Sequence, residues 1–197
     1  MLCSARKSPF YILILYVSNQ LINLFLFSAE RQSVASADRK GDGKQGKRPD
    51  VMFMEGSEKK LYELIFVKSS HIACTRIKEE NNNVKLWREM NDGMAWVHKG
   101  CKPDKNEFGV LGLQIAGKIM HLNILIKDTD DIHHLFRLRS VEIPIQPAGG
   151  GDVLQLVEAL LLLRNITIIN ISLLLNAPEA RSERLKRKSS TVSSDHE

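Results

Sequence analysis

Two apolar strings separated by a short polar one constrain this chain more than any other feature. A basic, glycine-containing loop, KQGKR (44–48), leads into Pro49-Asp50. The strings VMFM (51–54) and LYELIFV (61–67) follow, with Gly56 and Ser57 between them, and the second runs into Lys68-Ser69-Ser70. Short runs of aliphatic, β-branched and aromatic residues bounded by turn residues predict two strands joined as a hairpin.

The rest of the chain supplies what such a hairpin needs around it. Ser28 followed by Glu30-Arg31 predicts a short helix to about Ala37, ended by Gly41, Gly43 and Gly46. From Thr75 to Lys99 the apolar residues Ile77, Val84, Leu86, Trp87, Met90 and Met94 recur at helical spacing, with Lys78, Glu79, Glu80, Lys85, Arg88 and Glu89 elsewhere. Trp87 and Trp96 read as core anchors, and Asn91-Asp92-Gly93 as an interruption. Three strand-like segments come next, Phe108–Ala116, His121–Ile126 and Phe136–Pro144. Gly117-Lys118 forms the first turn between them, and Asp128–His134 the second connection, read as one helical turn with His133-His134 as a loop pair. Asp152 caps a long apolar helix over 153–175, although its second half, ITIINISLLL, is β-branched enough for a strand. The order β-β-α-β-β-β-α predicts an α/β fold with a mixed central sheet flanked by helices.

The chain has 197 residues and a net charge of +5, with much of the basic excess in 39–48 and 181–188. That bias is compatible with nucleic acid or an acidic surface without selecting either. Cys3, Cys74 and Cys101 match no zinc spacing and read as free thiols of a reducing compartment. Residues 1–27 carry the apolar run FYILILYVSNQLINLFLF (10–27) behind Arg6 and Lys7. It reads as a signal or membrane anchor, as a buried core element, or as a non-native start. The first reading would make the product secreted or membrane-bound, whereas the domain itself reads as intracellular. Gln155, Glu158, Arg164, Asn165 and Asn170 mark 153–175 as a buried or interface helix, available for a protein partner or self-association, rather than a span. Residues 177–197 read as a disordered, basic, Ser-rich tail.

The strings SAERQSVAS, GKRPDVM, YELIFVKSS, VKLWREMNDGMAWV, NEFGVLGLQIAG, HLNILIKD, VEIPIQ and LLLLRNITIINISLL carry a family resemblance. Over about Ser28 to Pro178 the chain resembles a family of fungal proteins related to the C-terminal nuclease-like domains of crinkler-type effectors. The resemblance implies a divergent PD-(D/E)XK, restriction-endonuclease-like fold over 28–176, truncated so that its first helix and strand are missing.

A metal-dependent nuclease of that kind holds Mg²⁺ on two carboxylates of neighbouring strands, with a lysine two residues after the second acid on the same strand face. Asp50 matches the first acid and is the candidate metal ligand. If Lys68 is the motif lysine, the acid's position holds Phe66. If Lys68 stands at the acid's own position, as the resemblance implies, the lysine position is Ser70 and the site charge is reversed. Glu63 lies five residues before Lys68, so without a bulge it points to the opposite face and reads as a half-exposed strand residue. Gln114 is a candidate to line the same cleft. The expectation is a degenerate, non-catalytic nuclease-like domain with no cofactor, Mg²⁺ being the cofactor only if the site works. Its partner would be DNA or RNA, held by Lys40, Lys44, Lys47 and Arg48. The alternatives are an active metal-dependent nuclease that recruits Glu63, and an interaction domain with no nucleic-acid role.

Overall fold

A computed structural model describes residues 26–29, 31–57, 60–70, 74–103, 107–128, 130–144 and 150–178. The apolar run before Leu26, Cys3 and the tail after Pro178 lie outside these residues. The elements are β1 (Leu26–Ala29), α1 (Val34–Lys40), β2 (Val51–Ser57), β3 (Lys60–Ser69), α2 (Arg76–Gly100), β4 (Gly109–Ala116), β5 (Ile119–Lys127), β6 (His133–Glu142) and α3 (Gly150–Asn176). The strands form one six-stranded sheet in chain order. Every neighbouring pair is antiparallel except β3–β4, which is parallel. A parallel pair needs a crossover, and α2 is that crossover. The molecule is therefore an α/β fold with a mixed sheet.

Several elements differ from expectation for identifiable reasons. The helix expected from Ser28 is a strand over 26–29, and the helix begins at Val34, capped by Ser33, whose hydroxyl accepts from Ser36 N at 3.0 Å. A strand and a short helix thus precede the hairpin. α2 runs unbroken through Asn91-Asp92-Gly93 from its Thr75 cap. Its buried stripe is Leu86, Met90, Met94 and Val97, while Ile77, Val84 and Trp87 lie off it, Trp87 being 43% exposed. Trp96 is half-buried, and its Nε1 donates to Leu61 O at 2.9 Å. His133 and His134 open β6 rather than sit in a loop. The connection before them is a tight turn in which Asp128 Oδ1 accepts from Asp130 N and Ile132 N. α3 is helical throughout, so burial of one stripe, Leu156, Ala159, Leu163, Thr167, Ile171 and Leu174, overrides the β-branched composition of its second half.

α1 and α2 cover one face of the sheet, and α3 covers the other near β4 and β6. Two glycines let α2 approach closely. A Cβ on Gly112 of β4 would come within 2.4 Å of Met90 Sδ, and one on Gly93 of α2 within 2.8 Å of the Phe66 ring. On the other face, Asn170 of α3 holds both backbone groups of Gly109: its Oδ1 accepts from Gly109 N at 3.2 Å and its Nδ2 donates to Gly109 O. Gly117, at φ 62°, makes the two-residue β4–β5 turn.

Candidate functional site

Parity places Phe66, Lys68 and Ser70 on one side of β3, and the partners of Phe66 and Lys68 fix that side as the α2 face. The Lys68 side chain is only 8% exposed, with Nζ 2.9 Å from Glu89 Oε1 on α2 and 3.7 Å from Asp50 Oδ1 just before β2. Asp50 is half-exposed, and its Oδ2 accepts from Ser69 N at 2.8 Å. One ammonium therefore stands between two carboxylates contributed by a loop and a helix. Glu89 is buried, and its Oε2 has no hydrogen-bond partner. Burial pushes the Glu89 carboxyl above the ordinary carboxylate range, and the charge and hydrogen bond of Lys68, with a smaller pull from Lys47, work against that shift.

The site continues across the sheet as a polar row. Lys68 pairs with Gln114, Gln114 with His121, and His121 with Ser140. Each link is tied down. Gln114 Nε2 donates to Glu79 O of α2 at 2.8 Å, and His121 Nδ1 lies 2.8 Å from Ser140 Oγ, with its Nε2 3.6 Å from Glu79 Oε1. Burial lowers the His121 pKa, Arg137 adds to that, and Glu79 opposes it. Gln114 thus lies in the row with Lys68, and its side chain is committed to α2. Ser70 is committed too, since its N and Oγ both donate to Ile115 O.

Glu63 corrects the parity argument. Val51, Met52 and Phe53 pair with Val67, Phe66 and Ile65, but Met54 pairs with Glu63, so Leu64 is a bulge without a counterpart. The extra residue brings Glu63 onto the helix-covered face, where it is fully buried rather than half-exposed. It does not join the Asp50 site. Its Oε2 accepts from Ser33 Oγ at 2.6 Å, and its Oε1 from Val34 N at 2.6 Å and Ala35 N at 3.3 Å, so it closes the N-terminus of α1. Burial raises its pKa, and those three hydrogen bonds oppose the rise.

Lys40 closes α1, and Lys44, Lys47 and Arg48 lie between α1 and β2. Lys40, Lys44 and Arg48 are exposed and Lys47 half-exposed. The segment is structured: Ser33 N donates to Lys47 O at 2.8 Å, Lys47 N donates to Ser36 Oγ, and Lys40 Nζ donates to Gln45 O at 2.8 Å. Gly46 lies so close to α1 that a Cβ would sit 2.0 Å from Ser33 O.

Sequence reasoning missed Glu89, which it set among the solvated residues of α2. Its position three residues after Leu86 and four before Gly93 puts it on the buried stripe, and that spacing was the available signal. Asp92, buried and paired with Arg39 of α1, was missed because Asn91-Asp92-Gly93 was read as an interruption of the helix. Among the described residues, no group of three or more His, Cys, Asp or Glu is arranged to hold a metal ion. Between Asp50 and Glu89 stands the Lys68 ammonium. Comparison with protein-family models, with characterised proteins and with solved structures finds no match.

Proposed function

We propose that this domain is a non-catalytic member of the nuclease-like class, its acid site closed by an internal cation, and that it contacts DNA or RNA through the basic loop. The observation that carries the reading is Lys68, buried and within 2.9 Å of Glu89 and 3.7 Å of Asp50. Opposite charges at that range hold both carboxylates and repel a second cation. A hydrolytic metal would have to displace a tethered ammonium and leave it buried without partners, a cost of several kcal/mol. Recruitment of Glu63 as the missing acid gains no support, since its two oxygens are occupied by α1. The loop carrying Lys44, Lys47 and Arg48 is anchored to α1, whose last residue is Lys40, and runs directly into Asp50, so these charges would meet a phosphate backbone beside the closed site.

The test has two arms. Thermal unfolding is followed with and without Mn²⁺ for the natural chain and for Lys68→Glu. The natural chain should show no metal-dependent rise in Tm. The variant, which gathers carboxylates at 50, 68 and 89, should be less stable without metal and recover with it. A rise in the natural chain that Asp50→Ala abolishes would refute the closed site. In the second arm, single-stranded and duplex oligonucleotide binding is measured against salt. Lys44→Ala and Arg48→Ala should each weaken binding and reduce the log–log salt slope by about one phosphate contact. No binding at low salt would refute the nucleic-acid reading alone.

A further inference from the structure

At the end of the polar row farthest from Lys68, a hydroxyl, an imidazole and a carboxylate stand in sequence. Ser140 Oγ of β6 is 2.8 Å from His121 Nδ1 of β5, and His121 Nε2 is 3.6 Å from Glu79 Oε1 of α2. The imidazole is buried, while Ser140 is exposed on a strand whose outer edge no described strand covers. The helix turn carrying Glu79 is pinned, since Glu79 N donates to Thr75 O and Glu79 O accepts from Gln114 Nε2. A carboxylate beside Nε2 favours the tautomer with its hydrogen there, which leaves the Nδ1 lone pair for the Ser140 hydroxyl. Burial and the charge of Arg137 hold the His121 pKa below its ordinary value, with Glu79 opposing, so the ring is neutral at pH 7 and able to take a proton. A bulge in β6 completes the arrangement. Leu122 pairs with Arg139 but Asn123 with Arg137, so Leu138 has no counterpart. The extra residue brings Arg137 onto the face of Ser140 and His121, where strict alternation would turn it away.

We propose that Ser140 is a nucleophile toward small, uncharged carboxylic esters, with His121 as its general base and Glu79 as the residue that positions the base. Ser140 Oγ attacks the ester carbonyl carbon as its proton passes to His121 Nδ1. The ester C–O bond then breaks, and the alcohol leaves with that proton. Water, deprotonated by the same nitrogen, attacks the acyl-serine, releasing the acid and restoring the hydroxyl. Arg137 is the cation available to the negative charge that grows on the carbonyl oxygen. Ile119, two residues before His121 on the same face and 44% exposed, offers an apolar contact to the acyl or alcohol group. Its strand partner Glu142 disfavours an anionic group there. The reaction uses none of Asp50, Lys68 and Glu89, so it stands or falls apart from the reading of the closed site.

The full chain is treated with a fluorophosphonate, from which an activated serine oxygen displaces fluoride at phosphorus, and its hydrolysis of p-nitrophenyl acetate is followed against pH. The label should map to Ser140 and be absent from Ser140→Ala, an exchange at an exposed site that should leave the circular dichroism unchanged. Hydrolysis by Ser140→Ala should fall at least about tenfold. In the natural chain the rate should rise with pH as His121 loses its proton, at a midpoint below 6.5. Glu79→Gln should slow the reaction and move that rise to lower pH, because the lost charge had favoured the protonated ring. Arg137→Gln should also slow it but move the rise to higher pH. An unlabelled natural chain, a label on another residue, a rate that Ser140→Ala leaves unchanged, or a pH profile that neither Glu79→Gln nor Arg137→Gln moves would each overturn the proposal. If Ser140→Ala unfolds, the position of the label in the natural chain, mapped by peptide mass, decides alone.

Discussion

Lys68 is the most consequential single residue, because it ties β3 to α2 and to the approach of β2. Truncating it to Met would leave Glu89 buried and uncompensated, and the expected loss is about 3–5 kcal/mol by urea unfolding at neutral pH. Glu63 offers a cleaner test of burial. Its folded pKa and that of Glu89 are raised, so the native state takes up these protons before the unfolded chain does. Stability contributed by these two groups therefore increases as pH falls from the raised folded values toward 4.5. His121 and His133 act in the opposite sense: their folded pKa values are lowered, chiefly by burial, so stability falls as pH drops from 6.5 through the folded values. Glu63→Gln separates the two effects, since the stability of the natural chain relative to the variant should improve as pH is lowered toward 4.5. Chemical denaturation across pH reads this directly, and a flat difference would show that Glu63 does not titrate differently on folding. Of these residues, Asp50 and Lys68 stood out in the sequence because one immediately precedes a short apolar strand and the other closes one. Glu63 was not, because its orientation depends on a bulge whose cause lies in pairing with β2 and in the needs of α1.

At the scale of elements, α2 and α3 are set by close approaches rather than by propensity. Gly93→Ala would improve helix propensity by roughly 1 kcal/mol. The added methyl meets the Phe66 ring at 2.8 Å and Glu63 O at 3.0 Å, and the neighbouring backbone cannot swing aside. We expect a net loss of about 1–3 kcal/mol by urea unfolding. Asn170→Ala should cost a similar ~1–3 kcal/mol, because Gly109 loses the partner of both its N–H and its C=O. The hairpin, the crossover helix and the β4–β5 turn could be read in the sequence, since periodicity and turn chemistry are local signals. The start of α1 and the identity of the α2 core stripe could not. Ser33 becomes a cap only because Glu63 and Lys47 lie against it, and Trp87 and Leu86 are adjacent residues that only the position of the sheet tells apart.

For the whole molecule, the order of strands follows the order of the chain, and that simplicity made the mixed α/β architecture readable. The candidate site was readable only in half. Its loop and strand come from one hairpin, but its second carboxylate arrives from the crossover helix, and no local pattern announces such a meeting. The same arrangement sets a condition on any change of charge at the site. A lysine codon becomes a glutamate codon by a single base change, so a carboxylate at 68 is one step away. That step would exchange a permanent, covalently attached counter-charge for one borrowed from the medium. A descendant carrying it would, on the proposed reading, fold well only where divalent cations are plentiful, so the ionic composition of its surroundings would act on its folding.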